Sequence, residues 1–126
     1  MNVLQIAIVA GAGAVGAVAR WGTSTLVQSW LGRGWPYGTL VVNVVGCFIF
    51  GAAFEATRHT AADHPETRLL WLTGFCGAFT TFSTFAFDTV ELHATNGLAH
   101  VALNVALHLV LGVAALLAGA ALGRLF

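Results

Sequence analysis

Long stretches without a single charged side chain run along almost all of this sequence. Met1–Ala19, Trp21–Gly32, Gly34–Phe54, Leu69–Phe87 and Leu92–Gly123 contain no Asp, Glu, Lys or Arg. A helix that crosses the hydrocarbon core of a bilayer needs about 20 mostly apolar residues. Four spans fit, over residues 3–30, 38–57, 69–89 and 98–125. Peptide groups in lipid must find partners within their own segment, so the runs read as helices. None shows the alternation of a membrane barrel strand. A water-soluble exterior is excluded on the same ground. Only 8% of the 126 residues are charged, against about 25% in a soluble domain. The expected fold is an all-α membrane protein, one domain over residues 1–126, with short loops at Leu31–Tyr37, Arg58–Arg68 and Val90–Gly97.

The first run is read as a retained span. Ala17-Val18-Ala19 resembles a cleavage site, but Met1-Asn2 lacks the basic residues that open a signal peptide. Trp30, Trp35, Tyr37 and Trp71 cluster at span ends, where amphipathic rings favour the lipid–water boundary. Arg58, Arg68 and Arg124 fall on the side of the termini and Arg33 on the other, a thin bias towards termini inside. A formal net charge of zero offers no basic patch for nucleic acid. Cys47 and Cys76 sit within apolar runs and read as small buried side chains, with neither disulfide nor metal. His59, His64 and His93 fall in or near loops and read as solvated.

Small residues stud the spans: Gly11, Gly13 and Gly16, then Gly46 and Gly51, then Ala115, Gly119 and Gly123 at every fourth position. Such stripes let helix backbones approach closely. Four spans make a thin bundle, so the stripes favour pairing with a second chain over packing within the protomer.

The third span holds the densest chemistry, from Gly74-Phe75-Cys76-Gly77 through Thr80-Thr81-Phe82-Ser83-Thr84-Phe85. Glycine and adjacent β-branched residues are poor helix formers. A break there would free carbonyls of the kind that hold sodium in membrane proteins. A straight helix, its hydroxyls bonded to their own turn, fits the composition equally well. Phe82 and Phe85 share a helix face. With hydroxyls around them they form a donor set for an anion, since ring edges carry partial positive charge. Asn43 brings an amide into the second span, either as such a donor or as an interhelical bond. Thr39 lies on the same face. Arg20 is the one charge deep in the first span, read as drawing anions to a vestibule or as snorkelling outward. His100, Asn104 and His108 form a polar stripe on the fourth span, directed at a pore or a partner helix. No Walker loop, nucleophile elbow or zinc-binding helix is present, so an enzyme is not expected.

Three stretches carry a resemblance. Gly16-Ala17-Val18-Ala19-Arg20-Trp21, Gly38-Thr39-Leu40-Val41-Val42-Asn43-Val44-Val45-Gly46, and Gly74 to Phe85 resemble the signature stretches of the Fluc-type fluoride channels of the CrcB family. The likeness extends over the chain in length, span number and motif order. It implies a passive fluoride-selective channel in the plasma (inner) membrane of a prokaryote, lowering cytoplasmic fluoride. It implies an antiparallel homodimer inserted in dual topology. It implies a fluoride pore with Asn43, Phe82, Phe85, Ser83 and Thr84, and a vestibule at Arg20. It further implies a structural sodium ion (Na+) at the dimer centre, held by backbone carbonyls of Gly77 and Thr80 from each chain. The family usually carries a hydroxyl where this sequence has His108. Two rival readings stand beside it. A small multidrug-type cation exporter would need an acidic residue in the first span, and there is none. An accessory subunit that only packs against a partner leaves the Asn43 and hydroxyl–phenylalanine set unexplained.

Overall fold

The computed structural model describes residues 2–58 and 64–126. His59 and Asp63 lie outside the described residues; His64 and His93 are exposed. Helix α1 is Val3–Leu31 and α2 is Tyr37–Ala56. The third span is composite: α3 (Pro65–Arg68), a π-helical stretch (Leu69–Cys76), α4 (Gly77–Phe79) and α5 (Phe82–Asn96). Helix α6, Leu98–Gly123, closes the bundle. Among the described residues, Val3–Leu31, Tyr37–Ala56, Pro65–Asn96 and Leu98–Gly123 are long and apolar enough to cross a membrane.

Local chemistry sets the ends. Asn2 and Gln5 form a reciprocal capping box, at 2.8 and 3.0 Å, that answers two free amides of α1. Gly32, at φ 82°, ends α1 in a conformation that costs other residues dearly. The loop expected over Val90–Gly97 is a correction. Helix α5 runs to Asn96, and Gly97 alone, at φ 83°, joins it to α6. Glu91, His93 and Asn96 mark where the chain leaves lipid, which is not where its hydrogen-bonded helix must stop. Likewise Pro65 opens the third span ahead of Leu69, at a helix start where its missing amide is harmless.

Helices α2 and α6 lie backbone to backbone. A methyl group on Gly51 would strike the Leu116 carbonyl, one on Gly119 the Phe48 carbonyl, and one on Gly123 the Ala52 carbonyl. The small-residue stripe expected to face a second chain is therefore spent inside the protomer, because dispersion between close backbones is what binds helices in lipid. Gly16 does the same for α1, resting on the carbonyl of Phe75 in the π-helical stretch. Gly11 faces open space. Glu55, at the end of α2, pairs with Arg58 at 3.5 Å and with Arg124 at 3.8 Å. This ties the end of α6 to that of α2. Val15, Val18, Trp21 and Leu26 of α1 stay exposed, as a lipid-facing surface allows.

Two substitutions separate packing from propensity. Gly119→Ala should destabilise the protein by about 1–3 kcal/mol through overpacking. Gly11→Ala, with nothing nearby, should be neutral or slightly stabilising. Thermal unfolding in detergent, followed by gel filtration, checks the pair; equal midpoints would contradict the α2–α6 contact.

Candidate functional site

The third span breaks at Thr80 and Thr81. Both backbones are extended, at φ −80°, ψ 158° and φ −149°, ψ 112°. Of the two alternatives left open by composition, the break is what forms. The Thr80 amide still reaches back to the Cys76 carbonyl at 3.0 Å. The peptide groups of Thr81 leave the helix and find Asn43 instead. The Thr81 N–H donates to Asn43 Oδ1 at 2.8 Å, and Asn43 Nδ2 donates to the Thr81 carbonyl at 3.2 Å. The side-chain amide thus mimics a neighbouring strand and satisfies both groups. One hydrogen of the Asn43 amide remains for other use.

Thr81 is also the cap of α5. Its Oγ1 accepts from the Thr84 N–H at 3.2 Å and lies 2.9 Å from Thr84 Oγ1 and 3.3 Å from Ser83 Oγ. Three hydroxyls therefore converge at the positive end of α5, where an anion is favoured. Phe82 and Phe85 follow, with ring centroids 5.7 Å apart. Phe82 is 79% exposed on the protomer surface.

Asn43, Thr80, Thr81, Phe82, Phe85 and His108 line one side of a mainly apolar groove of about 470 Å³. Gly77 borders it too. A second, polar groove of about 640 Å³ lies towards the α1–α2 loop, lined by Ser24, Arg33, Thr39, Thr84, Asp88 and Glu91 among others. One turn of α2 joins the two, since Thr39 and Asn43 share a face. Among the described residues, no backbone N–H answers the carbonyls of Gly77, Ala78, Phe79 and Thr80 beyond the helical turn. They form a negative helix end of the kind that holds a cation.

The structure brings Asn43, Phe82, Phe85, Thr80 and Gly77 together around one groove, with Thr84 at the next and Ser83 bonded to Thr81. Arg20 is half-buried on α1 and lines neither groove; the arginine at the polar one is Arg33. The fourth-span stripe divides. His100 is exposed, with Nδ1 against the Asn96 carbonyl. Asn104 is fully buried and clamps α6 to α5 through Thr89 Oγ1 at 2.9 Å. His108 alone meets the groove. Sequence reasoning passed over Asp88, which accepts from Thr39 Oγ1 at 2.5 Å. Its signal was available: an acid inside the third span, three residues after Phe85. Cys47 and Cys76 are free thiols, and both border the apolar groove.

Asn43→Leu would leave the Thr81 N–H and carbonyl unpaired, each at about 1–3 kcal/mol. We expect lower thermal stability and faster amide exchange at Thr81. Exchange unchanged from the native protein would show that the break holds without Asn43.

A family model described as CrcB-like protein, Camphor Resistance (CrcB), matches residues 7–120. The fluoride-specific ion channel FluC of Solidesulfovibrio magneticus is 46% identical over 121 residues, which are 96% of this chain and 97% of that protein. The FluC of Nitratidesulfovibrio vulgaris is 42% identical, over 96% of this chain and 98% of its own. That of Aeromonas salmonicida is 49% identical over 112 residues, 88% of this chain and 89% of its own. With a family match over residues 7–120 and relatives similar along nearly their whole length, this chain belongs to the CrcB-like family.

Proposed function

We propose that this protein is a fluoride-selective channel that lets cytoplasmic fluoride leave passively down its gradient. It is not an enzyme. The observation that carries the reading is the convergence of likeness and chemistry. The relatives named as fluoride-specific channels match 96% of the chain, and the broken third span sets neutral hydrogen-bond donors along two adjoining grooves, Thr81 on one and Thr84 on the other.

Fluoride is small and tightly hydrated, so a path must replace its water with closely spaced donors. The hydroxyls of Ser83 and Thr84 each sit within 3.3 Å of the Thr81 hydroxyl. The spare N–H of Asn43 and the ring edges of Phe82 and Phe85 continue the path. All are neutral, which suits conduction: an ion must bind well enough to enter and weakly enough to leave. The polar groove carries Arg33 together with the carboxylates of Asp88 and Glu91, and Asp88 is held by the Thr39 hydroxyl. Arg20 serves a vestibule on the face of α1 that the assembled protein completes.

The pore requires a second copy. Phe82 and Gly77 lie open on the protomer surface, and a groove lined by polar groups in lipid needs a cover. An antiparallel homodimer, inserted in both orientations in the inner membrane of a prokaryote, supplies it. The unanswered carbonyls at Gly77 and Thr80 fit a sodium ion shared between the two breaks, since a hard cation takes oxygen ligands. Bound there, sodium would neutralise the two helix ends and hold the copies in register.

Fluoride efflux from liposomes, read with a fluoride electrode under a valinomycin clamp, tests the reading. Fast fluoride loss with negligible chloride loss is expected, and Phe82→Ile should abolish it. A folded dimer that passes no fluoride would sink the channel and favour an accessory subunit. Replacing sodium by N-methylglucamine during purification should dissociate the dimer; a dimer indifferent to sodium would remove the ion from this account.

A further inference from the structure

His108 lies in the middle of α6, and its ring packs against Phe85 with centroids 4.5 Å apart. Its Nδ1 is 2.9 Å from the carbonyl oxygen of Asn104. A carbonyl only accepts, so Nδ1 carries a hydrogen and the neutral ring keeps its lone pair on Nε2. That Nε2 is buried and bonds to nothing. A buried polar atom left without a partner asks for one.

The surroundings narrow what the partner is. Besides His108, the titratable groups lining this groove are Cys47 of α2 and Cys76 of the third span. Both are thiols, whose ordinary titration lies above neutral pH. Among the described residues, no carboxylate, lysine or arginine lines the groove. Asp88, one turn beyond Phe85 on α5, lines the other groove and is bonded to Thr39. His100, two turns back on α6, is exposed and bonded to its own helix. Among the described residues of one protomer, a positive charge on His108 therefore has no counter-charge in this groove. An anion entering it balances one.

Resting on the reading that this groove conducts fluoride, we propose that His108 is a proton-dependent anion-binding position in the path. Nε2 takes up a proton supplied by the acidic solution, and the resulting Nε2–H donates to the anion beside the edge of Phe85. Nδ1 keeps its bond to Asn104 throughout. Proton and anion enter as a neutral pair, so each tightens the binding of the other, and linkage makes the effect reciprocal. The sign follows. A histidine is charged on the acid side of its titration, and a full charge next to the path slows the departure of the anion. Acid therefore raises affinity for fluoride and lowers its flux.

The test is fluoride efflux from liposomes at about pH 7.5 and about pH 5.5, spanning the range over which histidine changes charge. The native chain is compared with H108Q and H108S, after subtraction of protein-free liposomes. Acid should slow the native protein several-fold while leaving both variants nearly flat. Flux in all three with the same dependence on pH overturns the role of His108 and leaves the channel standing. No flux from any of them at either pH overturns the channel, and this proposal with it. Should both variants fail to fold, histidine NMR of the native protein decides. Sodium fluoride in place of sodium gluconate should raise the titration midpoint of one imidazole, and no movement of any midpoint overturns the proposal.

Discussion

Where Thr81 leaves the helix, its peptide groups lose their helical partners, and each one left alone in a bilayer costs several kcal/mol. The whole centre of this protein depends on how that demand is met. Asn43 meets it with a single amide that serves donor and acceptor together. The arrangement also fixes Asn43, since an amide held at both ends cannot rotate away. Helix α2, which carries it, is itself fastened to α6 by glycines that admit no side chain between the backbones. The break is thus braced against the most closely packed pair of helices. Thr81 then starts α5 with its own hydroxyl, and the donors fall where that helix begins.

The electrostatics follow from the same break. It creates a negative helix end at Phe79 and a positive one at Phe82, a few residues apart in sequence. Cation and anion chemistry can therefore sit side by side without a charged side chain at either. Of the two grooves, the polar one near the α1–α2 loop holds the charged side chains, Arg33, Asp88 and Glu91. Between it and the phenylalanines stand Thr39 and Asn43, both neutral. Among the described residues, His108 is the one imidazole on the apolar groove.

Most of the fold was legible because hydropathy and length act on every residue of a span. The four spans read from the charge-free runs became the four long helices, within a few residues at their ends except where polar residues extend α5 to Asn96. The break was only half legible. Glycine and threonine showed where a helix was weak, but the partner that makes the break affordable lies on another helix, 38 residues away in sequence. The glycine stripe of α6 showed a close approach and not its target, since Gly119 would look the same facing α2 or a second chain. Asn104 was ambiguous for the same reason. Its clamp on Thr89 depends on the single-residue turn at Gly97, which sets the register of α5 against α6. Arg20 was singled out because it is charged, yet the polar groove is reached by Arg33, from a loop that sequence treats as mere connection.

That turn has a mechanical consequence. Helix α5 is a rod of 15 residues with a joint at each end, the extended pair Thr80–Thr81 and the lone Gly97. Phe82 and Phe85 ride on its first turn, so one element carries both rings and sets the 5.7 Å between them. That element is held from outside, by Asn43 at Thr81 and by the bond from Asn104 to Thr89 further along. The two rings therefore take their place in the groove from α2 and α6, helices that carry neither of them.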